Sequence, residues 1–460
     1  MNPRTRRLLE APLLAMLLKM SAPNLAVMLA QSSTGLIETW FVGHLGTDAL
    51  AGMALVFPGM MLMQMMSAGA MGGGISSAIA RALGARRRDA ADALVLHALI
   101  INVAFGCVFT IVVVALGPTL YRALGARGAD LDAAVTYSNV VFGGAVLLWV
   151  FNALASVIRG TGNMHVPAYV IIGGVVVLVP VSPCLIFGIG PFPALGIAGG
   201  GVALLTYYVV GGAVLAAYIL RGHAIVRLRM ARLDRSMFFD ILRVGGVAVL
   251  VTMQTYLTVS FATAVVGRFG AADIAGFGTG SRLEYLLVPM VFGFGGPLVA
   301  IVGTCVGAGD RARAVRAAWM GAAVAGVLTE AIGLAAAFWP EAWLGMFGHD
   351  PAMLAAGAAY LRMVGPFYGF FGIGLALYFA GQGAGKLFWP LLAGVLRMVV
   401  AIGGGLIAVW AGFGLPAVFF ALGLGLACFG IVNAAAVAGG VWFRTRKMAG
   451  GDMVAATMRQ

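Results

Sequence analysis

The chain has 460 residues, of which 62% are hydrophobic and 10% charged, with a mean hydropathy of +1.01 and a formal net charge of +13. Soluble domains carry about 25% charged residues, so this composition excludes a soluble protein and makes lipid the surrounding solvent. The positive excess points to nucleic acid only if it forms a patch, and it does not, because it falls in the loops between apolar runs.

A helix needs about 20 apolar residues to cross a hydrocarbon core of about 30 Å. The first such run is centred on Met28, behind the basic segment MNPRTRRLLE. That opening resembles a signal-peptide start, but the run reaches Trp40 without a cleavage site and is expected to span. It holds Pro23, expected as a hinge, and four polar residues, Asn24, Gln31, Thr34 and Glu38. Heptad spacing places Asn24, Gln31 and Glu38 on one stripe, with Thr34 one turn before the acid. The second run, around Met60, sets Met60, Met61, Met63, Met65 and Met66 about Gln64. Such polarisable side chains suit a loosely defined ligand, and equally suit ordinary packing.

The third and fourth runs centre on Phe105 and Val146; Tyr137 precedes the centre of the fourth and Asn152 follows it. The fifth, near Val177, holds Ser182, and the sixth lies at Tyr208. After a basic stretch at 221–243, the seventh run centres on Thr255, with Gln254 and Tyr256 beside it. The eighth, around Phe292, opens on SRLEYLLVP with Arg282 and Glu284. The ninth (Gly326) contains Glu330, the tenth (Phe370) is aromatic, the eleventh (Met398) carries Arg397, and the twelfth centres on Cys428. Cys107, Cys184, Cys305 and Cys428 lie in or beside these runs without metal or redox spacing and read as small hydrophobes. No cofactor is implied.

Most of the 29 Lys and Arg fall at the amino terminus, in the even-to-odd loops and in the tail, whereas the opposite loops hold only Arg122, Arg127 and Arg268. The positive-inside rule therefore puts both termini in the cytoplasm. The high pI then reflects topology and attraction to lipid headgroups, which are the expected partners, and no nucleic acid is called for.

The chain repeats itself. VGHLGTDALAG (42–52) matches VGRFGAADIAG (266–276), LGARRRDAADA matches VGAGDRARAVRA, and RGTGNMHVP (159–167) matches AGQGAGKLFWP (380–390), each about 223 residues apart. Six spans return the chain to its starting side, so the copies share orientation and are related by an axis along the membrane normal, with a site between them. The expected fold is an all-α polytopic membrane protein of twelve transmembrane helices in two six-helix lobes around a central cleft. The expected divisions are 1–220 (first lobe), 221–242 (basic linker), 243–443 (second lobe) and 444–460 (cytoplasmic tail).

An acid-bearing first helix followed by VGHLGTDALAG, with RGTGN, ALGIAGGGVA and VGAGDRARA in order, resembles the multidrug and toxic compound extrusion (MATE) family from about 23 to 382. The resemblance implies export of lipophilic, often cationic, drug-like small molecules in exchange for H+ or Na+, by a monomer in a bacterial inner membrane. Glu38 stands where such proteins carry an acid, and Pro23 at the place of a proline that can bend the helix. Proton-linked (DinF-type) members show an Asn and an Asp in the fifth helix, where this chain has Leu178 and Ser182 in LVPVSP. The acids of NorM-type members in the seventh and tenth helices are also missing, which sets the chain nearer the DinF-type branch.

An acid near the middle of a bilayer costs roughly 2.5–3.5 kcal/mol on insertion scales, so Glu38 should face the bundle or a wet cavity. There it can take a proton from one side and release it to the other, with Gln31, Thr34, Asn152, Ser182 and Tyr137 around it. A sodium ion would use oxygens of Thr34, Asn152 and Ser182. The alternative is a hydrated acid at the outer interface. Substrate contacts are expected from Glu284, Gln64, Met60, Met63, Gln254 and Tyr256. Two other functions compete. A lipid-linked oligosaccharide flippase would call for extra helices and an arginine-rich cavity, and a membrane enzyme for a motif such as HExxH, GxSxG or a Walker loop, none of which occurs.

Overall fold

The computed structural model describes residues 2–440 and 442, so the expected tail at 444–460 lies outside the described residues. Among them there are helices and no strands. A short amphipathic helix α1 (Pro3–Glu10) precedes the first lobe. That lobe contains α2 (Leu13–Gly43), α3 (Thr47–Gln64), a π-helical segment (Met65–Met71) running into α4 (Gly72–Gly84), α5 (Arg88–Ala123), α6 (Ala129–Gly143), α7 (Ala145–Gly160), α8 (His165–Phe187) and α9 (Ile197–Leu220). The second lobe contains α10 (Arg235–Val266), α11 (Ala271–Ser281), α12 (Glu284–Gly307), α13 (Arg311–Phe338), α14 (Pro340–Leu344), α15 (Pro351–Val364), α16 (Tyr368–Ala384), α17 (Phe388–Trp410) and α18 (Leu415–Ala438). Eleven spans are continuous or nearly so, and α6 with α7, bent by 44° at Gly144, makes the twelfth.

The repeat is a repeat of helix punctuation. Gly46 and Gly270 take φ +118° and +144°, and Gly162 and Gly385 take +80° and +70°. These left-handed or extended-positive conformations are open to glycine at little cost, which is why the same short words recur at the same turns. Side-chain caps follow them: Asn163 Oδ1 accepts from the Val166 amide at 3.3 Å, and Asp310 Oδ1 from Arg313 at 2.9 Å.

The linker is not a free tether. Arg227 N donates to Asp92 Oδ1 at 2.8 Å, Arg88 Nη2 to Ile225 O at 2.9 Å, and Asp234 N to His97 Nε2 at 2.9 Å, all on α5 of the first lobe. The last part of the expected 221–242 linker is already helix, because Asp234 accepts from the Ser236 amide at 2.8 Å and starts α10 at Arg235. That bond holds the exposed Asp234 carboxyl below its ordinary range.

The lobes meet on the side of the basic loops. There α4 lies against α12, and each helix presents a glycine to the other's backbone. A Cβ at Gly84 would overlap the Thr304 carbonyl oxygen, and one at Gly307 would overlap that of Arg81. Small residues allow helix axes to approach in this way in membranes. Polar bonds lock the seam. Ser77 Oγ donates to Gln382 O at 2.6 Å, Arg81 Nη2 pairs with Asp240 Oδ1 at 2.7 Å, and Arg81 Nη1 contacts Ser77 Oγ. Arg243 Nη2 donates to Gly385 O at 2.8 Å. The short helix α1 bridges the same face. Its Leu8 packs over Gly162 of the first lobe, while Arg313 of the second donates to the carbonyls of Leu8 (3.1 Å) and Ala11.

Candidate functional site

The helix α2 stands between the lobes, packed on α8 on one side and α12 on the other. Its face at Asn24, Met28 and Gln31 lines a cleft of about 190 Å³. Pockets for drug-sized ligands measure about 300–1,000 Å³, so the cleft in this arrangement is smaller than such a pocket. Around Asn24 and Gln31 the cleft gathers Gln64, Ser76, Asn152, Ser156 and Arg159 from the first lobe and Gln382 from the second, with Met65, Phe292 and Phe379 as apolar walls. Phe292 and Phe379 meet edge to face at 4.8 Å.

The π-helical segment shapes this floor. A π turn spoils the regular i→i−4 ladder and leaves carbonyls aimed elsewhere. Here Gln382 Nε2 crosses from the second lobe to Gly69 O (3.2 Å) and Ala70 O (3.4 Å). Asn152 Nδ2 donates to Ser67 Oγ at 2.8 Å and to Gln64 Oε1 at 3.4 Å. Asn152 thus belongs to the cleft and not to the groups facing Glu38. Among the residues lining the cleft there is one charge, Arg159, and no carboxylate.

Glu38 sits elsewhere. Successive heptads on a straight helix drift by about 20°, so by Glu38 the stripe begun at Asn24 has turned off the cleft and into the first lobe. The carboxyl group faces Ser182 of α8, Tyr137 of α6 and Gly200 of α9, where a Cβ would stand 3.2 Å from Glu38 Oε2. Ser182 is fully buried, and its hydroxyl, next to Glu38, falls short of hydrogen-bond geometry with any group. Tyr137 is 3% exposed. Thr34 Oγ1 is turned to the Ala30 carbonyl at 2.8 Å. Pro23, inside α2, leaves the helix short of one amide donor.

The expected substrate contacts divide. Gln64 lines the cleft. Met63 does not: it is 1% exposed inside the first lobe's core, and Met60 packs on the same core, while Met65, at the start of the π segment, takes the cleft position. Gln254 is bound within the second lobe, donating to Gly394 O at 2.6 Å and Thr258 Oγ1 at 3.0 Å, because α10 packs this face on α17. Tyr256, two residues on, points the opposite way and is exposed. Glu284 is also outside the cleft. It lies in a separate cavity of about 80 Å³ within the second lobe, with Tyr360, Thr258, Ser281 and Arg397. Tyr360 Oη donates to Glu284 Oε1 at 2.7 Å, and Arg397, held over the rings of Phe371 (5.6 Å) and Phe429 (5.8 Å), supplies the balancing charge. Glu330 accepts from the Gly369 amide at 2.6 Å, capping the start of α16.

The Glu284 cluster reads as structural. Arg397→Met is expected to cost on the order of 3 kcal/mol of stability, because it leaves an acid without its counter-charge. Thermal unfolding of the detergent-solubilised protein checks this, and an unshifted midpoint would mean that the two charges do not sense each other.

Two six-helix lobes, a cleft between them and a half-buried acid turned into one lobe define a membrane transporter built on an internal repeat. The MatE family model matches residues 23–184 and 248–407, once per lobe and over more than half of the chain, and the chain belongs to that family. Among its relatives, a protein of Shewanella oneidensis named "FAD transporter" is 28% identical over 80% of this chain and 81% of its own length. A protein of Thermotoga maritima named "Probable multidrug resistance protein NorM" is 23% identical over 82% of this chain and 81% of its own. A MOP superfamily transporter from Pyrococcus furiosus shares the fold with a TM-score of 0.87 at 23% identity, over 96% of this chain and 99% of that one.

Proposed function

We propose that the chain is a secondary antiporter of a bacterial inner membrane, exporting amphipathic small molecules in exchange for protons carried by Glu38. Its basic-loop face, with both termini, lies in the cytoplasm, and it works as a monomer in contact with membrane lipids. One observation carries the reading: a single helix, α2, bears the cleft residues Asn24 and Gln31 and, two turns on, a half-buried carboxyl group with Ser182 and Tyr137 beside it. Cargo and proton then meet the same helix at different levels.

Coupling in this reading is conformational. Protonation removes the cost of enclosing a charge at Glu38 and lets α8 and α9 close on it. Ionisation favours an arrangement that hydrates the acid. Because α2 also packs on α12, each state of Glu38 favours one placement of the lobes, and cargo bound in the cleft biases the same equilibrium. Sodium is the weaker alternative, since Asn152 is engaged with Gln64 and Ser67 and few hard oxygens remain around the acid. Relatives are named both for multidrug resistance and for FAD, an anionic flat-ringed compound, so the test includes cargo of either charge.

The test is transport into everted vesicles with one ion gradient imposed at a time. A pH gradient is expected to drive uptake and a sodium gradient at equal pH to leave it at background. Drive by sodium alone would reverse the assignment.

A further inference from the structure

Arg159 ends α7 at the floor of the cleft and is the one charge among its lining residues. Its guanidinium makes no hydrogen bond or ion pair with any described residue, and its Nε is buried without a partner. The polar group it faces within the lobe is the Tyr207 hydroxyl, itself buried and without a hydrogen bond. Other arginines of this face are engaged: Arg81 with Asp240, Arg88 with the Ile225 carbonyl, Arg243 with that of Gly385, and Arg313 with those of Leu8 and Ala11. Snorkelling carries an arginine head to the bulk surface, whereas Arg159 has its Nε closed off and belongs to the lining of the cleft.

A guanidinium that opens on a cleft without a protein counter-charge favours a counter-anion, and its planar donor fork matches phosphate or carboxylate oxygens. The side-chain amides of Gln31 and Gln64 supply further donors, and the Phe292 and Phe379 rings offer a wall for a flat apolar body. No carboxylate lines the cleft to attract a cation. We propose that Arg159 selects the cargo, and that the cleft takes anionic compounds joining a phosphate or carboxylate to a flat aromatic ring, in preference to cationic ones. This rests on the reading of the chain as an exporter, but the preference is a property of binding and is tested without transport.

Riboflavin and riboflavin 5′-phosphate share one ring and differ by a dianionic group, and ethidium supplies a flat cation. Equilibrium dialysis of each against the purified protein in detergent, with no ion gradient, measures the preference. The wild type is expected to bind the phosphate on the order of tenfold tighter than riboflavin, and both tighter than ethidium. Arg159→Gln is expected to erase that advantage and Arg159→Lys to retain part of it, with an unshifted thermal unfolding midpoint showing that each variant is folded. Tighter binding of ethidium than of the phosphate, a phosphate advantage that survives Arg159→Gln, or no binding of any flavin would overturn the proposal. Failure of ion-driven transport with the binding pattern intact would instead overturn the exporter reading alone.

Discussion

Glu38→Gln is expected to lower pH-driven transport on the order of 100-fold, towards the upper end of allosteric coupling energies, and to make cargo binding in the absence of a gradient independent of pH, at the value the wild type shows when Glu38 is protonated, although Glu38 does not line the cleft. Glutamine keeps the shape and the neutral state of the side chain and removes the ability to lose a proton. Locked in the neutral form, α2 has one preferred arrangement, and the lobes lose the cycle while keeping the site. The binding readout separates this account from direct competition, in which cargo and proton share the carboxylate and only cationic cargo senses the substitution. Gly200→Ala is a gentler companion, since it sets a methyl group 3.2 Å from Glu38 Oε2 and should slow transport without removing the proton site.

The second large effect is expected at the seam between the lobes. Gly84→Val forces a branched side chain into the Thr304 carbonyl, and backbone cannot give way there as a flexible side chain would. Overpacking of this kind costs about 1–3 kcal/mol, and here the cost falls on the closed state of the basic-loop face and spares the open one. Transport should fall on the order of tenfold or more. Spin labels at the exposed positions Arg87 and Ala312, in a background without Cys107, Cys184, Cys305 and Cys428, read the separation of the lobes on that face. The short-distance population should shrink in Gly84→Val and stay unchanged in Gly35→Ala, whose added methyl meets nothing within 4 Å. A Gly84→Val protein with the wild-type distance distribution would show that this seam does not close the transporter.

Much of the fold was legible because lipid imposes a simple grammar. Apolar runs of spanning length, Arg-rich loops and a repeat near 223 residues led to twelve spans in two lobes. The structure adds that the repeated words are turn glycines and caps, so they recur for reasons of backbone geometry. The bend between α6 and α7 and the π segment after Gln64 were not legible, because neither a bent span nor an inserted residue changes hydropathy. Met65 reaches the cleft and Met63 does not because two residues along a helix turn about 200°. The heptad stripe in α2 identified its polar residues, but spacing by seven hides a drift that over two heptads carries Glu38 from the cleft into the lobe. Asn152 and Glu284 were placed by their span and not by their neighbours, and their partners Ser67 and Tyr360 are distant in sequence. Arg159 and Gln382 stood in the sequence as landmarks of the repeat. Their position near the ends of α7 and α16, in matching words of the repeat, was the signal that could have marked them as cleft residues.

The central claim is that exchange moves protons through Glu38. A direct test traps the pH dye pyranine inside liposomes bearing the purified protein, then adds outside, at equal starting pH and without sodium, a compound that the vesicle assay has shown to be carried. Inward movement of that compound should drive protons out and alkalinise the lumen in the wild type, with no alkalinisation in Glu38→Gln. Cargo entry without any change of lumenal pH, or an equal change in the Glu38→Gln protein, would contradict the account.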